Sequence, residues 1–405
     1  MSEVASVARA TGLSIQAWKP IIVRGVSYVP RGELVDPYLA ERAQDYTHTI
    51  KARGGWWSAE FSFTGNRQEI EEWYEQGLGR HVEVFNATGR MVWAGFVDSV
   101  TITMGTLTAT VGPLLEVANR CSVIYTPILY TDVWDPESHV TTGEQTQTTI
   151  ADDASSQGKY GILEEVLSGG EMLDDGTTDE AEQYRDSFIA EHRLPATDER
   201  LLMERTEITS VRLEMRGYVR FLQRYVVSTS NALTCTISTK LEDALGDDPN
   251  GLFSTDYRYM EANAFLVNRD ERKERNAWTV IEEMVNLGDA SDNRYVFGVY
   301  GGQQFHYRQV PTMPKYQHRL VQSMVQVETF GVGVRVEPWN VQAGEWLFLS
   351  DFLAGMGGTH GVPMREDHRY VFIEEVKYTA PMGIEIVGGH YGTLGQWLAK
   401  KGLGV

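Results

Sequence analysis

Residues 81–111 read HVEVFNATGRMVWAGFVDSVTITMGTLTATV, and this stretch constrains the fold more than any other part of the chain. Val82 and Val84 have the two-residue period of a half-buried strand, and they are expected to pair, through a turn from Asn86 to Gly89, with Met91 to Val97. A second turn at Met104-Gly105 feeds another strand. Upstream, WWSAEFSF places Trp57, Ala59, Phe61 and Phe63 on one strand face. NRQEIEEWYEQGLG then reads as a short helix with Ile70, Trp73 and Tyr74 on a shared face, ended by Gly77 or Gly79. Strand, turn and strand with little helix predict a small antiparallel barrel or sandwich over about 18–129.

The last third echoes this order. NAWTVIEEMVNLGD reads as a helix with Trp278, Ile281 and Val285 in one stripe and Gly288 closing it. An aromatic hairpin follows, NRYVFGVYGGQQFHYRQVP, turning at Gly301-Gly302. Strand text then alternates with Gly and Pro turns (FGVGVRVEPW, AGEWLFLSDFL, YVFIEEVKYT, GIEIVGG), and TLGQWLAKKGL reads as a closing helix. Two aromatic hairpins, each behind a Trp-bearing helix, suggest two related units around an insertion, although convergent hairpin chemistry gives the same echo. Between them, TSVRLEMRGYVRFLQRYVVST alternates at Val211, Leu213 and Met215 and is expected to pair with the first unit. TKLEDALGDDPNGLFS reads as a helix stopped at Pro249-Asn250-Gly251. The expected class is mainly β with α insertions (α+β). Residues 1–130 are a first β-barrel-like domain completed by 207–228, 131–275 an acidic mixed α/β insertion, and 276–405 a second β-barrel-like domain with a C-terminal helix.

Charge is concentrated in the middle. Residues 131–206 hold 19 Asp and Glu against 5 Lys and Arg, a net of −14 within a chain total of −20. This stretch opens turn-prone and Thr-rich (TTGEQTQTTIADDASSQG). It continues into KYGILEEVLSGG and DEAEQYRDSFIAEHRLP, both read as helices, the first with Ile162, Val166 and Leu167 on one face, the second ending before Pro195. A charge run is ordinarily a solvated face. A total of −20 disfavours binding to phosphate backbones, which requires Lys and Arg to displace counterions, and no basic run exceeds Lys400-Lys401. Cys121 and Cys235 make neither a disulfide framework nor a metal cluster, and both read as small buried hydrophobes. The opening MSEVASVARATGLSIQAWKP carries Glu3 and no continuous apolar core, so it does not read as a secretory signal. No stretch nears the roughly 18 apolar residues of a membrane helix, and synthesis in a reducing cytoplasm is expected.

Catalytic patterns are missing from the sequence: no P-loop, no G-x-S-x-G, no H-E-x-x-H and no Cys pair at metal spacing. The nine histidines are scattered, with none at i, i+2 or i, i+4. His360 and His368 beside Asp367 come nearest to a site, but a hydrolytic or metal centre wants a third ligand and a defined base. A loop tip or interface fits them better. Glycosidase-like carboxylate pairs cannot be told from chance among 56 acidic residues. LDDGTTDE lacks the alternate-residue spacing of a calcium loop and reads as a solvated turn. No catalytic, cofactor-binding or metal residue is assigned, no cofactor is expected, and the chain is not expected to be an enzyme.

Taken in order, WWSAEFSF, EEWYEQGLG, HVEVFNATGRMVWAGFVDSV and LLEVANRCSVIYTPI resemble the first barrel of the tail-tip and baseplate hub proteins of tailed bacteriophages. That barrel reads as a strand, a short helix, V-x-V, a turn, G-x-x-x-W-x-G-x-V and an N-R exit. NAWTVIEEMVNLGD, RYVFGVYGGQQFHY, PWNVQAGEWLFLSDFL and IEEVKYTAP are similar to the family's second barrel, while the acidic middle matches only as an insertion. The resemblance implies a structural protein with no active site. Paired barrels from three subunits would form a pseudo-six-fold ring joining the hexameric tail tube to a three-fold spike or fibre. It implies a homotrimer, other tail proteins (tube, distal tail, spike or fibre) as partners, no specific nucleic-acid binding, no membrane segment, and a place in the virion tail after assembly in the host cytoplasm. An acidic ring would also let DNA slide through without gripping its phosphates. Two alternatives remain open: a carbohydrate-binding distal or minor tail protein used in host attachment, with Trp and Tyr stacking on sugars, or a glycoside hydrolase.

Overall fold

A computed structural model describes residues 13–23, 27–36, 39–130, 139–141, 143–174, 179–201, 209–227, 234–253, 256–268, 275–321, 324–349, 370–380 and 383–388. The His360–His368 loop, the centre of LDDGTTDE and the closing helix expected over 393–403 lie outside the described residues.

The first strand begins ahead of the expected residue 18. β1 (Leu13–Val23) and β2 (Ser27–Asp36) form a hairpin, and a helical turn, α1 (Leu39–Arg42), leads to β3 (Ala43–Lys51) and β4 (Arg53–Thr64). α2 (Arg67–Gln76) forms where its apolar spacing places it. The Asn66 side chain caps it by accepting from the Glu69 N–H at 3.0 Å. β5 (His81–Asn86) and β6 (Met91–Met104) make the expected hairpin, in which Asn86 Oδ1 accepts from the N–H groups of Thr88 and Arg90. β7 (Leu107–Val111) follows the second expected turn.

β8 (Arg120–Tyr130) is the centre of a smaller sheet with β9 (His139–Thr141), β10 (Thr146–Gln147), β11 (Ala151–Asp152) and β12 (Glu164–Leu173). α3 (Ala154–Tyr160) and α4 (Glu180–His192) belong to this acidic part, where Val123, Tyr125 and Ala181 form a small core. β13 (Thr197–Leu201) pairs with β7, and β14 (Thr209–Arg216) lies between β4 and β6, so the late strand joins the first β unit as its alternation suggested. β15 (Thr234–Thr236) and β16 (Leu266–Asn268) pair beside α5 (Ile237–Gly246). α6 (Ala277–Leu287) precedes the hairpin of β17 (Tyr295–Tyr300) and β18 (Gln304–Gln309). Then come β19 (Tyr316–Val321), β20 (Met324–Thr329), β21 (Trp346–Leu349), β22 (Tyr370–Thr379) and β23 (Gly383–Gly388).

The fold is mainly β with a few helices, and among the described residues neither unit closes into a barrel. The strands run in one hydrogen-bonded order, β2-β1-β5-β6-β14-β4-β3-β22-β21-β19-β20. Pairing therefore continues from the first third into the last. β22 lies antiparallel on β3, and β17 lies parallel to the start of β4.

That second junction is backbone against backbone. Gly54 pairs with Gly298 and Gly55 with Val299. A Cβ on Gly298 would stand 2.6 Å from the Gly55 backbone, and one on Gly55 would stand 2.7 Å from the Val299 carbonyl. Gly55 also holds φ at +74°, which side chains resist.

Two apolar cores result. The first runs under the long strand path, from Ile15 and Phe61 to Val376 and Tyr378. The second gathers α5, α6, the 3₁₀ segment Tyr218–Gln223 and the β17–β18 hairpin.

Several local expectations need correction. KYGILEEVLSGG is helical only in its first two residues, Lys159 and Tyr160, where α3 ends: Gly161 at φ +79° stops that helix, and Glu164 onward runs parallel to β8 as β12. The i, i+4 spacing of Ile162 and Val166 imitated a helix face, but pairing with β8 decides the outcome. FGVGVRVEPW is a turn followed by a 3₁₀ segment, Pro338–Asn340, and the strands β19 and β20 precede it. In TSVRLEMRGYVRFLQRYVVST the strand stops at Arg216. Gly217 lies so close to Trp56 that a Cβ would meet its carbonyl at 1.7 Å, and the 3₁₀ turn after it sends Phe221 and Leu222 into the second core.

A register shift between Thr49↔Ser58 and Ile50↔Trp56 puts Trp56 in the first core beside Ala59, Phe61 and Phe63. Trp57, expected on that face, instead packs against the second core and meets Trp278 at 5.7 Å between ring centroids. Trp278 is likewise displaced from its expected place. The buried stripe of α6 is Ala277, Val280, Ile281, Met284 and Val285, and Trp278 is only partly buried at its flank, against Trp57 and Phe297. Trp73 does anchor its helix: it is 2% exposed, edge-on to Phe63 and covered by the Arg80 guanidinium at 4.4 Å.

Trp73→Ala is therefore expected to cost roughly 3–5 kcal/mol in denaturant unfolding, and Trp278→Ala distinctly less, because its site opens to solvent rather than leaving a cavity. Gly298→Ala should cost about 1–3 kcal/mol through the backbone clash. Gly246→Ala, where the added Cβ meets nothing within 4 Å, should be neutral or slightly stabilising in the same measurement.

Candidate assembly interface

The β1–β2 hairpin ends the strand order on one side, so the outer edge of β2 carries no strand among the described residues. Ile21 stands opposite Val29 and Ile22 opposite Tyr28, and strand alternation sends these pairs to opposite faces. Tyr28 points inward, 3% exposed, with its ring 5.8 Å from Phe221 and its hydroxyl donating to the Gly79 carbonyl at 3.3 Å. The other face is open: Ile21 is 54%, Val23 47% and Val29 42% exposed. An aliphatic face on a free sheet edge invites pairing with another chain.

Charge pins this hairpin to the body. Arg31 on β2 reaches across β1 to Glu83 on β5, with Nε to Oε1 at 2.5 Å and Nη2 to Oε2 at 2.8 Å, a two-pronged pair. His81, two residues before Glu83 and so on the same strand face, places Nε2 3.0 Å from Glu83 Oε1. Its Nδ1 lies 2.9 Å from the Tyr218 hydroxyl and 3.0 Å from the Gly95 carbonyl. The chain of contacts thus runs from half-exposed Arg31 inward to fully buried groups. Burial alone would raise the Glu83 pKa, but hydrogen bonds from His81 and Arg31 outweigh it and hold the carboxyl below its ordinary range. Burial pushes the Tyr28 and Tyr218 hydroxyls well above theirs, so both stay neutral.

The sign of the hairpin differs from that of the chain. Residues 13–36 carry Lys19, Arg24 and Arg31 against Glu33 and Asp36, a net of +1 where the whole chain is −20. Strand periodicity alone did not reveal this surface, because an aliphatic row looks alike whether it faces a core or water. The departure in local charge was the available signal.

Chemistry elsewhere stays sparse. Among the described residues no three His, Cys, Asp or Glu are placed to hold a metal ion, and no helix is long and apolar enough to cross a membrane. Cys121 is buried in β8, where burial and Glu165 push its thiol up to about 12, and Cys235 is partly buried in β15. The acidic insertion does not lack cations of its own: Arg185 of α4 is 7% exposed and binds Asp186, Glu182 and the Thr149 carbonyl.

Neither a protein-family description nor a curated protein sequence matches the chain. The solved structures similar to it at low levels include two tail proteins. The 43 kDa tail protein of prophage MuSo2 from Shewanella oneidensis has a TM-score of 0.40 and 8% identity, covering 93% of this chain and 98% of that one. The tail protein from Neisseria meningitidis MC58 has a TM-score of 0.38 and 7% identity, covering 95% and 98%.

Glu83 is ionised at lower pH in the folded chain than in the unfolded one. Its pairing therefore contributes stability that is fully present above the ordinary glutamate pKa of about 4.3 and is lost as pH falls through the folded-state value. Glu83→Gln should flatten the stability–pH profile below about pH 4.3. Arg31→Ala should cost roughly 1–3 kcal/mol and speed amide exchange in β2 before β14, as read by hydrogen–deuterium exchange.

Proposed function

We propose that this chain is a non-enzymatic structural component of a bacteriophage tail, acting as a homotrimer at the tail tip or baseplate hub. There it joins the tail tube to a distal spike or fibre and lines the DNA channel. The observation that carries the assembly is the β1–β2 hairpin, aliphatic outside, net positive and clamped through Arg31 and Glu83. Its occupant is a second copy of the same chain. A positive hairpin is drawn to an acidic neighbour. Among the described residues the same strand network also leaves an unpaired edge at β23, so the hairpin of one copy meets a different surface of the next. Such a heterologous contact closes into a ring when its rotation permits.

The tail assignment rests on the sequence resemblance. It is supported by the order of elements, since α2 leads into the β5–β6 hairpin and α6 into the β17–β18 hairpin. In this reading 1–130 with β14, and 276–405, are the two barrel-like units each subunit contributes. The insertion over 131–275 sits at the rim, because like charges at contact distance cost on the order of 1 kcal/mol per pair before screening. The channel is net negative, and the tube, distal tail and spike or fibre proteins are the partners.

Light scattering behind size exclusion should report a trimer. Ile21→Asp combined with Val29→Asp should weaken self-association by about tenfold or more, equivalent to about 1.4 kcal/mol, without moving the melting temperature of the subunit. A wild-type monomer, or a double variant that assembles normally, would count against the hairpin as the contact.

A further inference from the structure

A cavity of about 240 Å³ lies where the two β units meet. Trp56 of β4, Arg90 and Met91 at the start of β6, the β17–β18 hairpin and the segment from Trp339 to Ala343 all contribute to its lining. The β1–β2 hairpin takes no part in it.

Its charge is unusual for this chain. Arg90, exposed at the mouth, and Arg308, deeper, both line the cavity, and no Asp or Glu does. Glu345 behind the wall is shared: Arg308 Nη2 lies 3.0 Å and Lys315 Nζ 3.2 Å from the same Oε1. One carboxylate between two cations, with Arg90 in addition, leaves a positive surplus. The walls are rings. Trp56 meets Tyr300 edge to face at 5.9 Å, and His306 stacks on Tyr259 at 4.4 Å and meets Tyr300 at 4.8 Å. Burial, helped by Arg308, holds the His306 pKa down at about 4, so at neutral pH it is an uncharged ring that can donate and accept. Asn340, whose Oδ1 accepts from Arg90 at 3.2 Å, and Gln342 add amide groups.

We infer that this cavity binds a carboxylate-bearing sugar unit, as found in an acidic polysaccharide. Arginine suits a carboxylate because its fork matches both oxygens. The indoles of Trp56 and Trp339 offer flat apolar surface to the ring's C–H face, and His306 with the amides can satisfy hydroxyls. Size supports a single ring: pockets for drug-sized ligands run about 300–1,000 Å³, and this one is smaller. A bare phosphate would leave the aromatic walls unused, and a neutral sugar would leave Arg90 without a counter-charge, since Glu345 already answers Arg308. The inference is independent of the assembly reading and is tested at the level of binding, whatever the oligomeric state.

Isothermal titration of the full chain with a uronic-acid monosaccharide or disaccharide, and with its neutral counterpart, tests it. The acidic sugar should bind about tenfold or more tighter than the neutral one, and added salt should narrow the gap. Arg90→Gln, at an exposed position, should weaken the acidic sugar about tenfold with an unchanged melting temperature. Arg308→Lys, which keeps a cation for Glu345 but loses the fork, should weaken it as well. Equal binding of the two sugars, no measurable binding of the acidic one, or an Arg90→Gln variant that binds as the parent does would each overturn the inference.

Discussion

The contact on which most else depends is the approach of Gly54 and Gly55 to Gly298 and Val299. Two backbones meet there with no side chain between them, which lets β17 lie parallel to the start of β4 while β3 accepts β22 a few residues away. The last third of the chain is thereby tied into the strand network of the first by main-chain bonds as well as by side-chain packing. Neighbouring features follow the same line. The shifted register beside Gly55 divides the adjacent tryptophans between two cores, Trp56 to one and Trp57 to the other. The seam also places Trp56 beside Tyr300, forming one wall of the cavity.

A network of this length has free edges, and the protein treats them differently. β13 is exposed along its whole length and carries Asp198, Glu199 and Arg200 at its centre, the usual way to discourage pairing. β2 does the opposite, with aliphatic residues outward and its register held by the pair that half-exposed Arg31 makes with buried Glu83. Holding a sticky edge rigid lowers the ordering cost of docking, since less freedom remains to be lost on contact. The acidic insertion complements this arrangement. Its own small core and the buried Arg185 keep it folded while many of its described carboxylates stay exposed.

Much of the local structure was legible. The stripe and closing glycine of α2, the closing glycine of α6, the turn residues of the two aromatic hairpins and the break at Pro249-Asn250-Gly251 just past α5 each have a local cause, so sequence text predicts them. The late strand β14 was also legible as a partner of the first unit, because its alternation matches a sheet with one buried face. Failures fell where a distant partner decides. β12 is a strand because β8 lies alongside it, and the turn after β20 replaces an apolar run that could equally have paired.

By itself, then, the sequence determined the class of fold, the turns and caps, the location of the charge and the lack of any recognised catalytic motif, since all of these arise from neighbours within a few residues. Tertiary structure alone decided which aliphatic row faces water, which tryptophan is buried, and that Arg90, His306, Arg308 and Trp339 share one cavity. The reason is physical: exposure and electrostatic environment are properties of what packs against a residue, and across the Gly55–Val299 seam those neighbours come from segments separated by most of the chain.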